Sequence, residues 1–307
     1  MKGFVVYPTY DVSDNKSYVM LFGRLENNDS FLSIHEFKPY FYIKNSDLKY
    51  ALSLQVFNHE NSNFKNFNND DVVKIILDVP AEVPKLRKKF EENGIECFEA
   101  DVRFEYRFLF DNNIQGSLDI VGDYEPGQKV DRVYKNPEIK SVNYTPSNLK
   151  VLSFDIESNK ISGEIYCISL ICDNFKESLI NSKKVLNNAS CCKDEEDILE
   201  KFVKRVIELD PDVITGWNVI DFDLNLIFKR CKKFKVDFFI GRNNSKPKLR
   251  IEDNFFRESK ADIPGRQVLD ALHLLKVSFI KVKDYKLDTV ASEILNDNKL
   301  IKFKNLN

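Results

Sequence analysis

Two acidic residues, Asp155 and Glu157, interrupt the otherwise apolar stretch VLSFDIE at residues 151–157. On a β-strand, side chains two positions apart point to the same face, so these carboxylates would project together. Neighbouring carboxylates repel each other unless solvent screens them or a divalent cation neutralises them. Oxygen ligands of this type suit Mg²⁺ or Mn²⁺. Because Asp-x-Glu is a common tripeptide, a metal site needs further support.

A second polar group follows in WNVIDFD, residues 217–223, between a short apolar stretch and an amphipathic helix pattern. Asp223 would lie where the strand gives way to the helix and would face the edge of the sheet. Asn218 could donate a hydrogen bond to a phosphate or sugar oxygen, and Phe222 could pack against a base. Alternatively, Asp221 and Asp223 are acids of the kind favoured at helix starts.

The elements that must position these residues form an α/β pattern. Interleaved apolar residues predict strands at 150–157, 165–171 and 213–217. A stripe of apolar residues behind two acids predicts a helix over 194–209. A further helix follows 217–223, and another is predicted near 287–295.

The first third of the chain predicts a smaller α/β layer. Strands are expected at 37–43, 72–77 and 95–102, with a helix that has Pro84 in its first turn and stops at Gly94. This order is similar to the RNA-recognition plait. Residues 112–147, rich in Gly and Pro, are expected to be the junction between two domains, residues 1–147 and residues 148–307.

Composition limits the classes of function. The 307 residues carry a formal net charge of −2, so nucleic-acid contacts must come from local basic clusters. Six cysteines and three histidines in no ligand-like spacing argue against a zinc site and suggest free thiols in a reducing compartment. The sequence has no signal-peptide core or membrane-length apolar run, which predicts an intracellular location, cytoplasmic if prokaryotic.

The two acidic segments, FDIE at 154–157 and DVITGWNVIDFD at 212–223, resemble the first and second exonuclease motifs of family B DNA polymerases. Their order and their separation of roughly 65 residues are also similar to that family. Bacterial and archaeal members further resemble the segments at 99–103, 163–168, 241–245, 265–270 and 285–291. The resemblance covers nearly the whole chain.

The resemblance implies a ribonuclease-H-like 3′→5′ exonuclease domain with a mixed central sheet, behind a plait-like amino-terminal domain. It implies two-metal hydrolysis of phosphodiesters with Mg²⁺ or Mn²⁺. In that scheme Asp155 bridges both ions, Glu157 holds the water-activating one and Asp223 helps to hold the second. Asn218 and Phe222 would grip a single-stranded 3′ end. The whole protein would perform template-directed DNA synthesis with proofreading, in replication or repair.

One family motif is not found in these 307 residues. The family has a Tyr followed four positions later by Asp, beyond the stretch that LDTVA at 287–291 resembles, whereas Tyr285 here is followed by Thr289. The carboxylates of a polymerase active site are also not found. We therefore expect a truncated piece of a longer polymerase that does not polymerise and has an impaired exonuclease. Its partners would be DNA, the rest of the polymerase and a sliding clamp bound through that remainder.

Basic residues cluster after the second acidic segment, and neutralised phosphates would add salt-dependent affinity. The candidates for DNA contacts are Lys229, Arg230, Lys232, Lys233 and Arg242. The alternative is a solvated helix face.

The first domain contains residues that resemble the pocket by which archaeal family members sense uracil in the template. They are Tyr7, Pro39, Tyr40, Val83, Phe104 and Arg107. A narrow aromatic and proline-lined slot could accept a flipped pyrimidine and exclude a methylated one. Archaeal members have Pro at the position of Arg103, and packing of core aromatics is the alternative explanation.

Two other functions are compatible with the sequence. One is a module that binds single-stranded DNA without hydrolysis, and the other is a stand-alone exonuclease completed by a carboxylate from another subunit. Retention of three acidic candidates, Asp155, Glu157 and Asp223, argues against a module that only binds. Divalent-metal binding separates these hypotheses.

Overall fold

The computed structural model of the chain describes residues 1–182, 187–252 and 258–297. The chain divides into two compact units, the first comprising Met1–Asn148 and the second beginning at Leu149. Both combine β-sheets with helices, which confirms the predicted α/β class. Within the described residues, no helix has the length and apolar character needed to cross a membrane.

The first unit contains eleven strands and three α-helices among its residues. The strands are β1 (Lys2–Ser13), β2 (Lys16–Leu25), β3 (Ser30–Glu36), β4 (Tyr40–Lys44), β5 (Asn58–Lys65), β6 (Asp71–Ile76), β7 (Cys97–Phe98), β8 (Ser117–Val121), β9 (Tyr124–Pro126), β10 (Arg132–Lys135) and β11 (Glu138–Ser141). The helices are α1 (Leu48–Leu54), α2 (Val83–Glu92) and α3 (Phe104–Asp111), and single 3₁₀ turns span Asn45–Asp47 and Pro80–Glu82.

A four-stranded antiparallel sheet with the order β5-β6-β4-β7 forms half of the first unit. The chain order β4-α1-β5-β6-α2-β7 is the split βαβ arrangement, which confirms the predicted plait. Phe41 and Ile75 pack on the helix side against Phe90 of α2, because alternate strand residues face the helices. The strand predicted at 95–102 is shorter than expected, since Glu99 adopts a positive φ of 57° that ends it.

The rest of the first unit is a seven-stranded sheet with the order β11-β8-β1-β2-β3-β10-β9. Val19 and Leu21 of β2 lie in its core with Phe104 and Phe108 of α3. Residues 112–147, predicted as a junction, supply β8 to β11 of this sheet. These strands are short and interrupted by turns, which conceals their alternation in the sequence, and the two units divide after Asn148, next to the boundary expected after residue 147.

The second unit contains eight strands and four α-helices among its described residues. The strands are β12 (Val151–Ser158), β13 (Ile165–Cys172), β14 (Phe175–Asn181), β15 (Ala189–Cys192), β16 (Val213–Gly216), β17 (Lys248–Arg250), β18 (Lys260–Asp262) and β19 (Gln267–Asp270). The helices are α4 (Glu195–Leu209), α5 (Asn225–Phe234), α6 (Ala271–Val277) and α7 (Leu287–Val290), with π-helical turns at Val219–Leu224 and Ala291–Leu295.

A mixed sheet with the order β15-β14-β13-β12-β16-β19 forms the centre of the second unit. Strand β12 pairs antiparallel with β13 and parallel with β16, as expected for a mixed central sheet. Phe202 of α4 packs on Phe154 of β12, and Ile227 of α5 joins the same core. Helix α4 begins where predicted, because the Asp194 carboxylate accepts the Asp197 amide.

Candidate functional site

Asp155 and Glu157 lie on the solvent-exposed face of β12, as their two-residue spacing predicts. Ile156, between them, is buried in the core. The cross-strand neighbours on β13 are Ser169 opposite Asp155 and Cys167 opposite Glu157. The face therefore presents two carboxylates beside small polar side chains.

Asp223 lies in the π-helical turn and is buried, with 1% of its surface exposed. Its Oδ1 accepts a hydrogen bond of 3.1 Å from the backbone amide of Ile156. The ladder between β12 and β16 extends only to the pair Ser153 and Thr215, while β12 continues to residue 158. The Asp223 carboxylate thus satisfies an amide of β12 beyond the end of its neighbouring strand. It reaches the backbone between the two exposed carboxylates.

The electrostatics of the site favour a proton on Asp223. Burial first, and then the nearby negative charges of Asp155 and Asp270, raise the pKa of its carboxyl to about 7. A divalent cation would reverse this effect, because a positive charge favours the ionised carboxylate.

The switch from β16 into the π-helical turn depends on close backbone contacts. A Cβ on Gly216 would lie 2.7 Å from the Phe154 carbonyl oxygen, so only glycine fits without a shift. Asn218 follows in the left-handed region with φ of 58°. The Asp270 carboxylate accepts hydrogen bonds from the amides of Asn218 and Ile220.

Phe222 leaves the turn toward solvent and is 48% exposed, so its ring is accessible from solvent. Asp221, on the same turn, is bonded to His273 of α6, with 3.2 Å between Oδ2 and Nε2. Asp270 and His273 were not among the candidate residues. Asp270 ends a short apolar strand and precedes a helix, a pattern typical of a helix cap, which could have identified it.

The basic residues after the second acidic segment divide into two groups. Lys229, Lys232 and Lys233 on α5 are exposed, and their contact with DNA stays a prediction. Arg230 instead lies almost buried and forms a two-pronged ion pair with Glu195 of α4. A guanidinium bound in this way joins two helices, so the prediction that Arg230 contacts DNA was wrong.

Arg242 is also not available to DNA. Only 2% of the residue is exposed, and its guanidinium donates to the carboxylates of Asp210 and Asp212 and to the Gly265 carbonyl. The prediction that Arg242 contacts DNA was wrong, because the sequence shows the charge of an arginine but not that its side chain is buried against acidic partners. Arg242 is a structural residue.

The carboxylates differ from a preformed metal site in one respect. Among residues 1–182, 187–252 and 258–297, no three His, Cys, Asp or Glu side chains converge closely enough to hold an ion as they stand. Donor type nevertheless fits Mg²⁺ or Mn²⁺, since all three candidate donors are carboxylates. Asp155 and Glu157 are exposed, so packing does not lock their side chains in one orientation.

The first unit has a cavity of about 590 Å³ between the plait and α3. Five of the six residues expected there line it, namely Pro39, Tyr40, Val83, Phe104 and Arg107. Tyr7 does not, because it points to the other side of β1 and packs on Phe22, whereas Tyr10 lines the cavity. Arg103 also lines the cavity. The Tyr40 hydroxyl donates to Asp111, and burial raises the pKa of this phenol.

Comparisons with known proteins agree on one family. The profile of "DNA polymerase family B, exonuclease domain" matches residues 95–290. DNA polymerase II of Escherichia coli is 30% identical over 248 residues, which cover 77% of this chain and 30% of that protein. The DNA polymerase of Archaeoglobus fulgidus is 27% identical over 313 residues, which cover 95% of this chain and 37% of that protein.

A solved structure has the same fold. The family B DNA polymerase of Pyrobaculum calidifontis matches with a TM-score of 0.76 at 22% identity, over 95% of this chain and 39% of that chain. This chain therefore spans about a third of the length of the polymerases that it matches.

Proposed function

The chain belongs to the family B DNA polymerases through their exonuclease domain, and on this premise we propose that its second unit removes nucleotides from single-stranded 3′ ends of DNA. The observation that carries the proposal is the placement of Asp223. Its buried carboxylate is bonded to the β12 amide that lies between the exposed Asp155 and Glu157. The whole protein would be a DNA-directed DNA polymerase that acts on primer–template DNA and uses this module for proofreading.

Three carboxylates would hold the metal ions of such a reaction, namely Asp155, Glu157 and Asp223. A pair of Mg²⁺ or Mn²⁺ ions, when bound, supplies an activated water and neutralises charge around the scissile phosphate. The protein's own contribution is to place three acidic side chains near one another, two on β12 and one on the adjoining turn. Asp223 is held by the Ile156 amide and withdrawn from water, so its charge is poorly solvated until a cation approaches.

The turn that carries Asp223 would also bind the DNA strand. The exposed ring of Phe222 would stack on a base near the 3′ end, an interaction worth about 1–3 kcal/mol per base. Asn218 would donate to a sugar or phosphate oxygen, and Lys229, Lys232 and Lys233 would neutralise phosphates. Contact with a sliding clamp is an expectation that rests on the resemblance alone.

The test combines metal binding and strand degradation on the 307-residue chain and its Asp155→Ala variant. Mn²⁺ binding is measured by calorimetry, and a 5′-labelled single-stranded oligonucleotide is incubated with Mg²⁺ or Mn²⁺. We expect Mn²⁺ binding and slow metal-dependent shortening from the 3′ end, both lost in the variant. The shortening should be slow because the Tyr and Asp of the family's third motif are not found in these 307 residues. Equal Mn²⁺ binding by the two proteins would contradict the proposal. Strand binding with metal but without shortening would favour a module that only binds, or one completed by another subunit.

A second candidate function concerns the first unit, where the 590 Å³ cavity favours recognition of a template uracil. Tyr40, Val83 and Phe104 line this cavity and would form walls for a flat pyrimidine that leave no room for a 5-methyl group. Arg103 adds a charge at this cavity, which suits a neighbouring phosphate. We expect tighter binding of a uracil-containing single strand than of its thymine-containing match, measured by fluorescence anisotropy. Equal affinities for the uracil-containing and thymine-containing strands would contradict this function.

A further inference from the structure

Asp270 is a buried carboxylate, 3% exposed, whose hydrogen bonds join two elements of the second unit. Its Oδ1 accepts the amides of Leu272 at 2.9 Å and His273 at 3.4 Å, which begin α6. The same oxygen accepts the amide of Asn218 at 3.2 Å. Its Oδ2 accepts the amide of Ile220 at 3.0 Å. Oδ1 therefore binds amides of both α6 and the π-helical turn, whereas Oδ2 binds an amide of the turn only.

The position of Asp270 follows from the sheet. Strand β19 pairs parallel with β16 so that Asp270 lies opposite Gly216, at the end from which both chains leave the sheet. Amides at the start of a helix have no partner within the helix and need an external acceptor. Asn218, which begins the π-helical turn, makes no capping bond with its own side chain. Asp270 caps that turn from the neighbouring strand while it caps α6 as well.

The turn that Asp270 fixes is the one that carries the candidate site. Ile220 is held by Oδ2, and three residues later Asp223 reaches the Ile156 amide of β12. A shift of the turn would therefore move the Asp223 carboxylate relative to Asp155 and Glu157. An ordinary cap of α6 would need only one oxygen, whereas the second oxygen of Asp270 serves the turn alone.

We propose that Asp270 is a positioning residue, which holds the strand-to-helix switch in the shape that sets Asp223 against β12 and so determines the affinity of the site for a divalent cation. The inference rests on the proposed function for the role of the cation. Its structural part, the hold of Asp270 on Asp223, does not depend on that role. Residues that orient metal ligands typically change metal affinity by about 10- to 100-fold when replaced.

Asp270→Asn is the sharpest variant, because the amide can retain an oxygen toward α6 and Asn218 but turns an NH₂ group toward the Ile220 amide, where two donors meet. We expect about 10- to 100-fold weaker Mn²⁺ binding by calorimetry. We also expect faster hydrogen exchange of the Ile156 amide by NMR, since its acceptor Asp223 is displaced. Asp270→Ser, which can still cap α6 but is too short for the turn, should show the same two changes.

The matched control is Asp194→Asn, which alters the cap of α4, where Asp194 accepts the Asp197 amide at 2.9 Å. It should leave Mn²⁺ affinity and Ile156 exchange unchanged. Wild-type Mn²⁺ affinity and unchanged Ile156 exchange in both Asp270 variants would overturn the inference. If the wild-type chain binds no Mn²⁺, the proposed function fails, and Ile156 exchange alone then decides the role of Asp270.

Discussion

Replacing Asp223 with asparagine should make the protein more stable at neutral and alkaline pH. The carboxylate is buried and its neighbours include Asp155 and Asp270, so folding has to accommodate a poorly solvated negative charge. Asparagine has the same shape and keeps an oxygen that can accept the Ile156 amide. The substitution therefore removes the charge and leaves the contact.

The size of the effect follows from the pKa of the Asp223 carboxyl, which folding raises from 3.8 to about 7. Each pH unit of this difference corresponds to about 1.4 kcal/mol, so the charge destabilises the folded chain by up to about 4 kcal/mol. Below pH 3.8 the carboxyl keeps its proton in both states and costs nothing. Between pH 3.8 and about 7 the unfolded chain loses the proton first, so the free energy of unfolding falls as pH rises. Above that range the loss is constant.

Urea unfolding of wild type and Asp223→Asn between pH 4 and 8 measures this difference, because groups remote from Asp223 titrate alike in both proteins. We expect near-equal stability at about pH 4 and an advantage for the variant that grows to a plateau above about pH 7. Asp221→Asn, on the same turn but 34% exposed, should show a much smaller change. Mn²⁺ at about 100 times its dissociation constant should stabilise wild type at pH 8 by about 2.7 kcal/mol and leave Asp223→Asn nearly unaffected. A variant that is less stable than wild type at pH 8 would refute the reasoning.

Three further substitutions test other parts of the second unit. Phe222→Ala should weaken binding of a single-stranded oligonucleotide by about 1–3 kcal/mol in fluorescence anisotropy, because the exposed ring would lose its base; unchanged affinity would argue against stacking. Arg242→Met should lower the free energy of unfolding in urea by about 3–5 kcal/mol, because it removes the guanidinium that forms a buried ion pair with Asp212. A loss below 1 kcal/mol would contradict this account. Gly216→Ala should cost about 1–3 kcal/mol in the same assay, since its Cβ would meet the Phe154 carbonyl at 2.7 Å, and a neutral result would mean that the turn relaxes.

The strand carrying Asp155 and Glu157 could be predicted from sequence because strand geometry depends only on alternation, which is local. The same is true of α4, where the apolar stripe and the Asp194 cap lie within 16 residues. Local patterns of this kind also predicted three of the four plait strands, whereas β5 was not predicted because its residues, NHENSNFK, are almost all polar. They were sufficient to place two carboxylates on one face.

Features that depend on distant residues could not be predicted. The burial of Asp223 and its bond to Ile156 join positions 67 residues apart, and neither neighbourhood signals the other. Arg242 was wrongly expected to contact DNA, because its ion-pair partners Asp210 and Asp212 lie some thirty residues earlier in the chain and nothing near Arg242 in the sequence indicates them. Tyr7 was expected to line the cavity of the first unit, but β1 has a register shift between Val5 and Tyr7, so simple alternation does not predict the face that Tyr7 occupies.

The buried ion pairs around Arg242 restrict which amino-acid substitutions the protein can tolerate at these positions. Arg266 donates to Asp210 as well, so Asp210 and Asp212 are matched by two guanidinium groups with no net charge. The pKa of Arg266 is lowered to about 10 by burial and by its arginine neighbour, which leaves it charged at neutral pH. Replacing one of these four residues with an uncharged one would leave an excess buried charge, whereas replacing one acid and one arginine together would not. In related sequences these four positions should therefore change together, and a double-mutant cycle across them should show strong non-additivity.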